Sequence, residues 1–112
     1  MNHALSRKKC VSCEGGISRL SKTETRALLK NLEGWQLAPD KNSIFVEWTM
    51  KNFVSALNLI GKIAKLAEKE GHHPDIHLTG YRHLKIVLST HAIEGLSQND
   101  FILATKICRL IL

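Results

Sequence analysis

The run Pro74-Asp75-Ile76-His77-Leu78-Thr79-Gly80-Tyr81-Arg82-His83-Leu84-Lys85-Ile86-Val87-Leu88-Ser89-Thr90-His91 decides the fold. Apolar residues alternate on both sides of Gly80-Tyr81-Arg82, with Ile76 and Leu78 before it and Leu84, Ile86 and Leu88 after it. Period-two alternation marks a strand with one buried face. The glycine-containing reversal joins two such strands, Asp75 to Tyr81 and His83 to His91, into an antiparallel hairpin. A further alternation lies upstream over Ser43 to Thr49, where Ile44, Val46 and Trp48 oppose Phe45, Glu47 and Thr49. Before it come a turn at Pro39-Asp40-Lys41-Asn42 and a short candidate strand at Trp35-Gln36-Leu37.

Helices fill the intervals. Ser21-x-x-Glu24 is a capping box ahead of Leu28, Leu29 and Leu32, with Gly34 as the stop. Asn52 caps a segment from Phe53 to Lys69. Its polar positions Ser55, Asn58, Lys62, Lys65 and Lys69 recur at helical spacing and leave Phe53, Ala56, Leu57, Ile60, Ala64 and Ala67 as a wide buried face. Gly71 ends this helix, and Pro74 holds His73 extended. Ser97-x-x-Asp100 opens a last helix in which Ile102, Leu103, Ile107, Leu110 and Ile111 are apolar. The order α-β-β-α-β-β-α predicts an α+β domain, a four-stranded antiparallel sheet with helices packed on one face. That domain spans 21–112, behind a basic tail or strap over residues 1–20.

Composition agrees with one compact domain: 112 residues, 44% hydrophobic and 23% charged. No apolar run approaches the ~18 residues of a membrane span, and no hydrophobic segment follows the basic opening. A cytoplasmic protein without a membrane partner is expected. The net charge is +6. Arg7, Lys8, Lys9 and Arg19 precede the first helix, and the other bases are scattered without interleaved aromatics. This is a solvated surface rather than a nucleic-acid stripe. Cys10-x-x-Cys13 lacks both a fourth zinc ligand and the strand–helix setting of a redox motif, and Cys108 is remote, so reduced thiols are expected. A sheet this small leaves an edge strand unpaired, and the last helix carries more apolar residues than one face requires. Both features predict a homodimer or homotetramer.

The chemistry gathers between residues 72 and 91, which hold five of the six histidines. A reversal centred on Arg82 sets His73 opposite His91; one centred half a residue earlier sets His72 there. Imidazoles titrate near ~6.5, so such a group contains an acid and a base at neutral pH. Three histidines can also bind zinc, which stands as the rival reading.

The spacing Glu68-x-x-x-His72-His73-Pro74, then six residues to Tyr81, nine to His91 and eight to Asp100, resembles the signature of the pterin-4a-carbinolamine dehydratases. Cys10-Val11-Ser12-Cys13-Glu14-Gly15-Gly16, Gly34-Trp35, Lys51-Asn52-Phe53, Leu88-Ser89-Thr90-His91 and Gly95-Leu96-Ser97 resemble the bacterial form of that family. The resemblance implies removal of water from a 4a-hydroxytetrahydropterin to give the quinonoid dihydropterin, which recycles the pterin of aromatic amino-acid hydroxylases. It implies His72, His73 and His91 as the catalytic set, with no metal and no cofactor beyond the pterin substrate. Glu68, Pro74, Trp35 and Asp100 are the expected substrate-binding residues, Trp35 as a flat wall and Glu68 as a partner that orients a histidine. Asp100 also fits a capping box with Ser97. Tyr81, at the hairpin tip, is either structural or serves a neighbouring subunit, while His77 and His83 are surface groups. Some animal members bind a transcription factor, so a non-catalytic dimerisation or transcriptional cofactor module is the alternative.

Overall fold

The computed structural model describes residues 19–111. The basic Arg7, Lys8 and Lys9 and the Cys10/Cys13 pair lie outside the described residues. The chain runs α1 (Lys22–Leu29), β1 (Gln36–Leu37), β2 (Ile44–Thr49), α2 (Phe53–Glu70), β3 (Asp75–Thr79), β4 (His83–Leu88), a 3₁₀ turn (His91–Ile93) and α3 (Gln98–Leu110). This is the α+β order read from the sequence. The sheet is antiparallel throughout, in the spatial order β1-β2-β4-β3.

Capping chemistry places the helix starts. Ser21 Oγ accepts from the Glu24 amide at 3.1 Å, and Glu24 Oε1 accepts from the Ser21 amide at 3.0 Å. Asn52 Oδ1 accepts from the Ser55 amide at 2.8 Å, and Gly71 closes α2 in the left-handed region with φ 66°. Helix α1 stops at Leu29, well before Gly34. Tight bonds from Asn31 N to Leu28 O and from Leu32 N to Leu29 O turn the chain inward there. Gly34, at φ 86°, makes the last bend, so that Leu32 and Trp35 both enter the core.

Two expectations about helix faces are corrected. In α2 the inward stripe is Ala56, Leu59, Ile63, Ala67 and Glu70, while Phe53, Leu57 and Ala64 point outward and Ile60 is half-buried. One helix meets a four-stranded sheet along a single narrow stripe, and α2 has more apolar residues than that stripe has places. In α3 the reverse holds. Phe101, Ile102, Leu103, Ala104, Ile107 and Cys108 are all buried within the protomer, and of its apolar residues only those at its end, half-buried Leu110 and exposed Ile111, reach the surface. Trp35 reaches α3 from the α1–β1 link, and α2 reaches it through Glu70 and Lys106, whose 2.8 Å ion pair is largely buried.

The hairpin register also differs. Gly80 and Tyr81 both adopt positive φ, 52° and 58°, which centres the reversal on Tyr81. Asp75 therefore pairs with Val87 and Thr79 with His83. Extending that register would set His73 opposite Ser89 and His72 opposite Thr90, with His91 beyond both. The ladder in any case ends at Asp75–Val87, and His91 begins a 3₁₀ turn rather than closing a strand. Ile44, Val46, Leu84, Ile86 and Leu88 face the helices, and the opposite sheet face is open.

Candidate active site

The site forms where the end of α2, the turn after β4 and the start of α3 meet. Gly71 releases the chain from α2, and His72 turns straight into the protein, 7% exposed. Its Nε2–H donates to Asp100 Oδ1 at 2.7 Å. Asp100 is fully buried, and its second oxygen accepts from the Thr90 hydroxyl at 2.9 Å and from the Ser97 amide at 3.0 Å. The Ser97 hydroxyl lies 2.7 Å from Thr90 Oγ1 and accepts from the Asn99 amide at 3.2 Å. One carboxylate thus caps α3 and holds an imidazole. Because a carboxylate only accepts, this contact places the proton on Nε2 of His72.

His73 is paired differently. Its Nε2 donates to Glu68 Oε2 on the last turn of α2, and both side chains are exposed, 63% and 76%. Pro74, half-buried, carries the chain from this pair into β3. His91 is exposed at the start of the 3₁₀ turn and directly follows Thr90. Hydrogen bonds thus join His72, Asp100 and Thr90, with His73 and His91 as their immediate neighbours in sequence, and strand pairing across the hairpin does not bring the histidines opposite one another. Among the described residues, no three His, Cys, Asp or Glu side chains gather as a metal site.

Trp35 does not join them. It is 5% exposed, and its indole N–H donates to Cys108 Sγ at 3.2 Å. Cys108 lies eight residues along α3 from Asp100, about 12 Å at helical rise. A ring buried there offers no open face to a planar substrate, so its expected role as a wall is withdrawn. The same burial pushes the Cys108 thiol above its ordinary range, against a smaller lowering by the indole bond. Tyr81 is exposed at the hairpin tip, and His77 and His83 are exposed on the open sheet face, as expected. Two open clefts are lined by other residues. One of about 400 Å³ lies on that sheet face beside His77 and His83, and one of about 470 Å³ lies between Arg19, Arg26, Lys41 and Leu96.

Sequence reasoning missed Thr90 and Ser97 as parts of the site. Their signal was present in Thr90-His91 and in the capping box, but their convergence on Asp100 needs the fold.

The fold and the site define an α+β protein built around imidazole–carboxylate pairs, suited to moving protons. The chain belongs to the family described as Pterin 4 alpha carbinolamine dehydratase, whose model matches residues 18–110. It is 43% identical over 106 residues to "Pterin-4-alpha-carbinolamine dehydratase 2, mitochondrial" of Arabidopsis thaliana, covering 92% of this chain and 57% of that one. A family relative from Halorhodospira halophila is 38% identical over 104 residues, covering 93% and 94% of the two chains. The crystal structure of a "transcriptional coactivator/pterin dehydratase" from Brucella melitensis superposes with a TM-score of 0.78 at 29% identity, covering 83% of this chain and 98% of that one. No described helix is long and apolar enough to cross a membrane.

Proposed function

We propose that this protein dehydrates a 4a-hydroxytetrahydropterin to the quinonoid dihydropterin and so recycles the pterin used by aromatic amino-acid hydroxylases. The observation that carries this reading is the pair of carboxylate-held imidazoles, His72 on Asp100 and His73 on Glu68, with His91 directly following the Thr90 that donates to Asp100. The reaction breaks the C4a–O bond. One protonated imidazole gives its proton to the departing hydroxyl, which leaves as water. A neutral imidazole takes the proton from the ring nitrogen as the new carbon–nitrogen double bond forms. The two rings then exchange protons with solvent, which reaches His73 and His91 directly.

The carboxylates stabilise whichever ring is charged and hold each ring's orientation. In this scheme the pterin is the substrate, and the imidazoles perform the proton transfers themselves, so turnover is expected to survive exhaustive chelation. The test is dehydration of a chemically generated 4a-hydroxypterin. His73→Ala and His91→Ala should each lower turnover by roughly 10²- to 10⁴-fold with the far-UV spectrum intact. Parental turnover in both variants would refute the assignment.

We also propose that the protein is a cytoplasmic homodimer or homotetramer. The α2 face bearing Phe53, Val54 and Leu57 and the free edge of β3 support self-association. A second reading is a non-catalytic coactivator or dimerisation module, favoured by the name carried by the Brucella structure. That reading expects the histidine variants to keep partner binding, and it predicts no loss of cellular function when turnover is abolished.

A further inference from the structure

We infer that Arg19 is a positioning residue for His91, an inference that rests on the dehydratase reading of the histidine cluster. His91 stands on a turn whose ends close on each other, Thr90 N to Gly95 O at 2.8 Å and Gly95 N to Thr90 O at 3.4 Å. The Thr90 end is fixed from inside by Asp100 and Ser97. The Glu94 end is gripped from outside. Arg19 Nη2 donates to the Glu94 carbonyl at 2.7 Å and to Asn42 Oδ1 at 2.9 Å. Next to it, the Leu20 amide donates to the Leu96 carbonyl at 2.9 Å.

Three features make this grip specific. Glu94 sits in the left-handed region at φ 50°, a backbone that a glutamate rarely adopts unless its surroundings impose it. The Glu94 amide bonds the His91 carbonyl at 3.1 Å, so a shift at Glu94 passes to His91 through one hydrogen bond. Gly95 has no left-handed φ, yet a Cβ there would stand 2.3 Å from Arg19 Nε. A side chain at 95 would displace the guanidinium, which lies against the backbone there. Asn42 is itself seated, its amide donating to Asp40 Oδ1 at 2.9 Å. The β1–β2 turn, Arg19 and the His91 turn form one connected brace.

A general acid or base misplaced by about 1 Å can lose on the order of 100-fold in rate. R19A and G95A should therefore each lower kcat roughly 10- to 100-fold while KM moves less than about threefold, the first by removing the guanidinium and the second by displacing it. R19K, which still offers a cation to the Glu94 carbonyl, should recover part of the loss. The double variant R19A/G95A should be no slower than R19A, since the added methyl has room once the guanidinium is gone. In ¹⁵N–¹H spectra the ring resonances of His91 should shift in R19A and G95A, while those of the strand-borne His77 and His83 stay in place. Should R19A fold poorly, R19K and G95A carry the test.

Parental His91 resonances together with kcat within about twofold of the parent in R19A and G95A would overturn the inference. So would losses that multiply in the double variant. If H91A itself turns over like the parent, the catalytic reading of His91 falls, and the brace is then judged on the ring resonances alone.

Discussion

His72 and His73 are neighbours in sequence, yet their carboxylates place them in opposite physical settings. Asp100 is fully buried and serves His72, Thr90 and the Ser97 amide together. Removing it in D100A leaves several buried donors without acceptors, which should cost on the order of 2–3 kcal/mol. At this chain length that lowers the melting temperature by roughly 10 °C, and turnover should fall with it. Glu68 and His73 are both exposed, and an exposed pair contributes less than about 1 kcal/mol. E68Q should therefore melt within about 3 °C of the parent while turnover drops at least several-fold, if Glu68 orients the ring. Calorimetry and the dehydration assay on the two variants separate these outcomes. Equal effects on stability would show that burial does not distinguish the two pairs. At this scale the structure pairs His72 with Asp100 and His73 with Glu68, and sets His91 directly after Thr90, whose hydroxyl donates to Asp100. Trp35 was misplaced because an indole's position in the motif does not reveal whether its ring face is open, and here the interior takes it.

Elements were legible wherever a local rule sets them. Both serine capping boxes, the Asn52 cap and the Gly71 terminus form as read. The hairpin register was not legible to the residue, because two consecutive left-handed residues recentre the turn and only Gly80 advertises that conformation. The buried face of α2 was also misread, since a wide apolar face does not say which part meets the sheet. The capping box of α1 has a measurable signature. Hydrogen bonds from the Ser21 amide and hydroxyl hold the Glu24 carboxyl below its usual value of 4.5 in the folded chain. A group depressed on folding stabilises fully above its unfolded pKa and loses that contribution as pH falls through the folded one. The parent should thus be more stable than E24A at pH 7, and the gap should close only as pH drops below 4.5. A gap that stays constant to pH 3 in thermal melts would show that the carboxylate does not act through its charge.

For the whole molecule, the open question is what covers the apolar residues that the protomer leaves outside. The sequence reading placed that apolar excess on another helix. It assigned the excess to α3, whose apolar residues from Phe101 to Cys108 are buried, and the larger exposed group stands on α2. Phe53, Val54 and Leu57 are 48%, 63% and 45% exposed within little more than one helical turn. A contiguous patch of this kind on a small chain is the usual mark of an interface. The edge of β3, a five-residue strand, is a separate surface on a different element, with no strand paired to its outer side among the described residues. We propose that each of these surfaces pairs with its own copy, which would build a dimer of dimers with one twofold contact per surface. Light scattering at micromolar concentration should then give about four times the 12.6 kDa protomer mass for the parent. L57K places a charge in the helix patch and leaves the edge untouched, so it should yield a stable species of about half the parent mass with an unchanged circular dichroism spectrum. A monomeric parent would refute the argument from exposure. A parent and L57K of equal mass would show that the α2 patch is not where the copies meet.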